Sequence, residues 1–385
     1  MLDWSAFANG GAVFWVIAAV LLVLLGVHFV LYLRAVRPAR GTLEWISMVD
    51  RPAASLCAEP FALRRADSWC LAGVSLIAAA CWMGPLLTVL LGQAYLTAPA
   101  RLEALLRYLL APVISAQTLY LLLRRMTGNV HISMLAAAIF ALDLSYGADA
   151  AATPFQLLAF AFVLLHLLLR GAFAPLIAAA AFLGVGAYFA SGVLCQLAVL
   201  LPVLLPVLLF AAVRRCGMGE RYAVPRLVGA VLGFPAMTAA FFLLTQVPGA
   251  VLAGVKPFSG AFFPRVLLFA LAALRSALPQ GGALLLSPVE PLLLIYALGA
   301  AFVSVGCAVR RRQTGFWLAS WFFAANSVLA IFGRCVPAVG CMPLIALVWA
   351  QWEKRGGRWQ ALLASAFLLS TALAGRLMQL LLGGI

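Results

Sequence analysis

Five charged side chains fall inside or beside long apolar runs, where charge is expensive and often functional. They are Glu103, Arg107, Asp143, Asp149 and Arg334. We expect all five at the outer face of a membrane, where one shared cavity could gather carboxylates and guanidinium groups. The alternative is that each is an interface residue whose side chain reaches water. We favour that alternative for Glu103 and for Glu290, and both interpretations stay open for Arg107, Asp143 and Arg334.

Several kinds of catalytic site are excluded by the motifs. The sequence has no glycine-rich phosphate loop, no H-E-x-x-H zinc motif and no G-x-S-x-G nucleophile elbow. Its eight cysteines are scattered without a C-x-x-C pair, and there are only three histidines. Zinc binding or haem attachment would need clustered ligands. No residue is therefore predicted to bind a metal, and a divalent metal stays open as a cofactor.

The composition indicates an integral membrane protein. Hydrophobic residues make up 66% of the chain and charged residues 10%, and the mean hydropathy is +1.10. A soluble surface needs more polar groups than this. The formal charge of +15 comes from basic residues in the gaps between apolar runs, as in cytoplasmic loops. This pattern predicts membrane lipids as partners and no nucleic acid.

The apolar runs predict an all-α protein, because a chain crossing a membrane without alternating polarity must close its hydrogen bonds in helices. We expect about twelve transmembrane helices. Residues 1–33 form an N-terminal transmembrane helix, 34–69 a basic cytoplasmic segment, and 70–385 the transmembrane domain. Both termini lie outside. The predicted spans are 11–33, 70–92, 103–123, 131–146, 154–169, 172–190, 193–213, 227–246, 289–309, 316–332, 337–352 and 359–377.

One segment, residues 247–288, is predicted to lie outside or in the outer interface, because the spans on either side of it both have outer ends there. Within it, 264–278 is apolar, short, and carries two arginines. We interpret 264–278 as a helix lying in the interface. The alternative is a tilted spanning helix, which would break the alternation of charge between the loops.

Several segments share the order and spacing of one family's motifs. They are 119–128 followed by 135–143, which ends in Ala-Leu-Asp; the turn 150–154; the Gly-rich stretch 183–192; 233–237 before Val247-Pro248; and 333–343. Together they resemble protein O-mannosyltransferases and related membrane glycosyltransferases of the GT-C fold, the bacterial members above all. The resemblance covers roughly residues 60–380 and implies a GT-C-like core of eleven helices plus one extra N-terminal helix. It also implies the bacterial cytoplasmic membrane.

The departures from this family bear on catalysis. Its members carry an Asp-Glu pair in the first outer loop, where one carboxylate is the base for the acceptor hydroxyl. Residues 93–103 contain only Glu103. The family's Arg and Asp in the next turn, its Lys, and its Tyr-His pair are also replaced. Asp143, Arg107 and Arg334 remain, and the resemblance implies that the two arginines hold a lipid phosphate.

The resemblance leaves two main functions open. The first is an inverting glycosyltransferase that moves a sugar from a polyprenyl-phosphate carrier to a hydroxyl at the outer face. Glu103 or Asp149 would be its base, and Arg107, Asp143 and Arg334 would bind the substrate. The second is a non-enzymatic relative that binds the carrier or pairs with an active transferase as its partner membrane protein. A transporter for a lipid-linked substrate is a weaker third, because few charges lie at mid-membrane depth.

Overall fold

The computed structural model describes residues 64–92, 98–142, 151–168, 172–217, 219–252, 260, 262–277, 321–326, 328–329, 337–354 and 356–382. All regular structure in these ranges is helical, and they contain no β-strand. The helices are α1 Arg65–Gly92, α2 Ala98–Leu105, α3 Ala111–Thr127, α4 Val130–Leu142, α5 Thr153–Leu168, α6 Phe173–Phe189, α7 Gln196–Gly217, α8 Ala223–Leu252, α9 Phe262–Ala277, α10 Pro337–Lys354 and α11 Arg358–Leu382.

The all-helical architecture predicted from the apolar runs is confirmed for the described residues, and their long apolar helices agree with a membrane protein. Among the described residues, four helical stretches are long and apolar enough to cross a membrane: Arg65–Gly92, Ala100–Thr127, Gly192–Gly217 and Ala223–Pro248. Shorter apolar helices include α4, α6 and parts of α10 and α11. The predicted spans 11–33 and 289–309, and most of the basic segment 34–69, lie outside the described residues.

The first spanning helix that the structure describes begins at Arg65, earlier than the predicted start at Cys70. The reason is local. Asp67 is the third residue of the helix, and its Oδ2 accepts the backbone N–H of Arg64 at 2.9 Å. An acidic side chain at this position satisfies one of the free N–H groups that open a helix. The capped turn therefore extends α1 into the segment that the sequence places in the cytoplasm.

The described helices belong to two compact units. Among the described residues, the first unit comprises 158–168, 172–217, 219–252, 260 and 262–277, and the second comprises 64–92, 98–142, 151–157, 321–326, 328–329, 337–354 and 356–382. In the first unit, α6 packs along α8, and α8 also packs against α7 and α9. Gly184 permits the close approach of α6 to α8. A β-carbon there would lie 2.5 Å from Phe241 Cβ and 2.8 Å from the Phe242 backbone nitrogen.

The second unit is built around α4. Helices α1, α3, α10 and α11 all pack against it, and the side chains of Ala136, Ile139 and Phe140 are fully buried. Inside the apolar helices, Gln117 Nε2 donates to Ser75 Oγ at 2.7 Å and joins α3 to α1. Hydrogen bonds of this kind hold membrane helices together where no water competes.

The predicted interfacial helix is present as α9, which begins at Phe262 and ends at Ala277. Its sixteen residues give a length of about 24 Å, shorter than the hydrocarbon core of a bilayer at about 30 Å. Val266 and Ala270, one turn apart, are buried among those of its side chains that the structure describes. Its placement in the interface remains a prediction.

Candidate functional site

Arg107 lies in a widened turn of the helix that continues α2 into α3. Residues Leu106–Leu110 form a π-helical turn, in which the Ala111 N–H donates to the Leu106 carbonyl. Single π-helical turns are frequent at functional sites because the extra residue re-aims the side chains around it. Arg107, which the sequence predicts as a site residue, therefore lies in a kind of helical turn that is often found at functional sites.

The Arg107 guanidinium is incompletely satisfied. Its side chain is partly buried, and its Nε atom is buried without a hydrogen-bond partner among the described residues. The next residue, Tyr108, stacks on Trp82 of α1 with ring centroids 6.0 Å apart. This stack ties the π-helical turn to α1. A cationic donor without an acceptor is costly inside an apolar helix pair, and an anionic oxygen is the acceptor that would satisfy it best.

Glu103 lies one turn before Arg107 and is exposed. The structure describes no ion pair between these two side chains, although residues four apart share a helix face. Glu103 is thus placed near Arg107 along the helix, but not in an enclosed cavity with it. Three other predicted site residues, Asp143, Asp149 and Arg334, lie outside the described residues, as does Glu290.

A buried polar network in the second unit was missed by the sequence analysis. Asp67 is fully buried, and its Oδ1 accepts from Tyr120 Oη at 2.7 Å and from Arg124 Nε at 2.9 Å. Arg124 Nη1 donates to the Gly128 carbonyl at 2.7 Å. The Arg124-Arg125 doublet indicates a cytoplasmic loop, but one of its members is a buried partner of Asp67.

A second polar contact joins α4 to α10. Asn129 caps α4, its Oδ1 accepting the N–H of His131 at 2.9 Å and that of Ile132 at 3.2 Å. Asn129 Nδ2 donates to Glu353 Oε2 in the last turn of α10. The sequence signal for this turn was available, because Gly128 followed by Asn129 is a typical helix end and helix start. Nothing in the sequence predicts that Asn129 pairs with Glu353.

Within the described part of the chain, no three His, Cys, Asp or Glu side chains come together as metal ligands. The candidate site consists of Arg107 on its π-helical turn, with Glu103 one turn away. The chain matches no protein-family model, no curated protein and no solved structure.

Proposed function

We propose that this chain is a glycosyltransferase-like membrane protein that binds a polyprenyl-phosphate-linked sugar at its outer face, with Arg107 holding the phosphate. The observation that carries the proposal is the buried Arg107 Nε without a partner among the described residues. A guanidinium group pairs with phosphate oxygens through two parallel hydrogen bonds. A lipid phosphate would supply the acceptor that the neighbouring helices do not.

The surroundings of Arg107 suit a lipid-linked ligand. Counted from Ala98, Arg107 lies about 13 Å along the helix, within reach of the headgroup layer if α2 begins at the outer surface. Exposed apolar side chains lie on α1, on the π-helical turn and on α3; they are Leu87, Leu91, Leu110 and Ile114. They offer apolar surface against which a polyprenyl chain could lie beside the bilayer acyl chains.

The finer architecture is part of this proposal. It comprises about twelve transmembrane helices, a GT-C-like core of eleven, both termini outside, and the bacterial cytoplasmic membrane. In this arrangement α2 begins at the outer face and α3 ends at the inner face, so Arg107 lies on the side where lipid-linked sugars are used. Asp143 and Arg334 would contact the same ligand.

Whether sugar transfer follows binding depends on Glu103 or Asp149 as the base. The exposure of Glu103 favours the binding-only alternative, a non-enzymatic relative that holds the carrier or supports a partner transferase. A general base must lie within hydrogen-bonding reach of the acceptor hydroxyl. An exposed Glu103 meets this requirement only where the acceptor hydroxyl itself reaches it.

Binding of the carrier tests the proposal directly. Purified protein in nanodiscs is titrated with a polyprenyl-phosphate mannose, and Arg107→Gln is compared with Arg101→Gln. Arg101 is an exposed arginine on the same helix, so its variant controls for the loss of one positive charge. We expect Arg107→Gln to weaken binding about tenfold or more, the loss typical for charged hydrogen bonds, and Arg101→Gln to leave binding nearly unchanged.

Equal weakening in both variants would show a general charge effect and would overturn the role of Arg107. Sugar transfer by membranes containing the protein separates the two functions. Turnover that is lost in Glu103→Gln identifies an active transferase with a lone carboxylate. Retained binding without turnover identifies the binding-only relative.

A further inference from the structure

The second unit contains an open cavity, lined by both polar and apolar atoms, at the helix ends opposite to Arg107. Its volume is about 370 Å³, at the small end of the range for small-molecule sites. The cavity lies between the α3–α4 turn and the last turn of α10. Its lining includes Thr127, Asn129, Val130, His131, Ala350 and Glu353. Arg107 lies in the π-helical turn before α3, twenty residues from Thr127 at the end of α3, so this cavity is separate from the site proposed above.

The cavity lies where apolar helices stop. The apolar stretch that includes α3 ends at Thr127, the apolar α4 begins at Val130, and the apolar part of α10 ends at Ala350. In a membrane, such a level corresponds to the phospholipid headgroups. Under the predicted topology it is the inner leaflet. The group that meets the cavity from the surrounding bilayer at this level is therefore a lipid headgroup.

The charge of the cavity is set by Glu353. Of the three described acidic residues at predicted inner helix ends, two are neutralised by arginine. Asp67 pairs with Arg124, and Glu220 pairs with Arg226 at 2.8 Å. Glu353 has no ion pair with any described residue, and its only described partner is the neutral amide of Asn129. This is unusual in a chain with a formal charge of +15.

The position of Glu353 adds to this argument. A carboxylate in the last turn of a helix opposes the helix dipole, and Glu353 is next to last in α10. The facing N-terminus of α4 and the Asn129 amide offset part of that cost. A cationic group in the cavity would offset the rest. It would find the second carboxylate oxygen of Glu353 as acceptor, because Asn129 uses only Oε2.

We propose that this cavity binds a primary ammonium group carried by a phospholipid headgroup, as in phosphatidylethanolamine. Glu353 accepts hydrogen bonds from the ammonium. His131, whose exposed side chain lines the cavity, donates from its imidazole to a phosphate oxygen of the same headgroup. The same ammonium chemistry exists in free ethanolamine, and the headgroup is distinguished from it by the acyl chains that hold it at this level.

The test uses the full-length protein in nanodiscs whose lipid is phosphatidylglycerol mixed with either phosphatidylethanolamine or phosphatidylcholine. Native mass spectrometry reports which lipid is retained. We expect the protein to retain phosphatidylethanolamine over phosphatidylcholine, because trimethylation removes the N–H donors. Glu353→Gln should reduce this preference about tenfold while keeping the Asn129 hydrogen bond, so the fold survives. Glu220→Gln, at an arginine-paired carboxylate, should keep the full preference.

A second variant tests the role of the cavity without changing its charge. Val130→Trp retains Glu353 and fills the cavity, and it should abolish the preference as well. Free ethanolamine added to detergent-purified protein should compete only at millimolar concentration. A wild-type protein without preference between the two lipids overturns the proposal, as does an undiminished preference in Glu353→Gln. Competition by free ethanolamine at micromolar concentration would overturn the headgroup as the ligand.

Discussion

At the residue scale, the described structure contains a buried ion pair between Asp67 and Arg124. Both side chains are nearly inaccessible to water, with exposed fractions of 0% for Asp67 and 10% for Arg124. The Tyr120 hydroxyl donates a further hydrogen bond to the Asp67 carboxylate. A buried ion pair adds little stability compared with apolar residues of similar volume. Removing one member is nevertheless costly, because the other charge is left buried and unpaired. Arg124 is thus held by Asp67 and the Gly128 carbonyl.

This predicts that Asp67→Asn lowers the free energy of unfolding by about 3–5 kcal/mol. The amide keeps the size of the side chain but leaves the Arg124 cation without its counterion. Reversible unfolding in mixed detergent micelles measures the loss. The double variant Asp67→Asn with Arg124→Met should recover most of it. A double variant as unstable as the sum of the two single ones would contradict the pairing.

At the element scale, the contact between α6 and α8 depends on the missing side chain of Gly184. A β-carbon there would lie 2.9 Å from the Thr238 carbonyl oxygen as well as close to Phe241 and Phe242. Two of these atoms are backbone, so the helices themselves must separate. Small residues at such contacts let membrane helices approach and pack.

Gly184→Ala should therefore destabilise the protein by about 1–3 kcal/mol, the usual cost of overpacking. Gly84→Ala is the matched control. Gly84 also lies within a spanning helix, but a β-carbon there meets nothing within 4 Å. Since alanine is the better helix former, this control should be neutral or stabilising by up to about 1 kcal/mol. Thermal unfolding of both variants in the same detergent measures the two changes in stability. Equal losses would refute the close approach.

The helices themselves could be predicted from the sequence, because apolar runs of spanning length have few alternatives in a membrane. The predicted spans 131–146, 154–169 and 172–190 correspond to α4, α5 and α6 within a few residues. The π-helical turn at Leu106–Leu110 could not be predicted, since its residues differ little from those of a regular turn. Arg124, which pairs with Asp67, is 57 residues away from it, and Asn129 is 224 residues away from Glu353. No local pattern in the sequence predicts either pair.

At the scale of the whole molecule, the predicted topology places α7's C-terminal end inside. Cys216 lies there and is exposed, after the basic Arg214-Arg215 pair. A membrane-impermeant maleimide added to intact cells should leave Cys216 unlabelled and should label it once the membrane is opened. Cys216→Ser identifies the signal. Gly260→Cys in that background, at an exposed position in the predicted outer segment, should be labelled in intact cells. The reverse pattern would contradict the topology.

The proposed binding of a lipid-linked phosphate at Arg107 is tested most directly by mapping the residues that the carrier contacts. A polyprenyl-phosphate mannose with a diazirine on the first isoprene unit is photolysed with the protein in nanodiscs, and the labelled peptides are mapped. We predict label within residues 98–110 and on α1 near Trp82, reduced in Arg107→Gln and retained in Arg101→Gln. Label that is confined to other helices and unchanged by Arg107→Gln would contradict phosphate binding at Arg107.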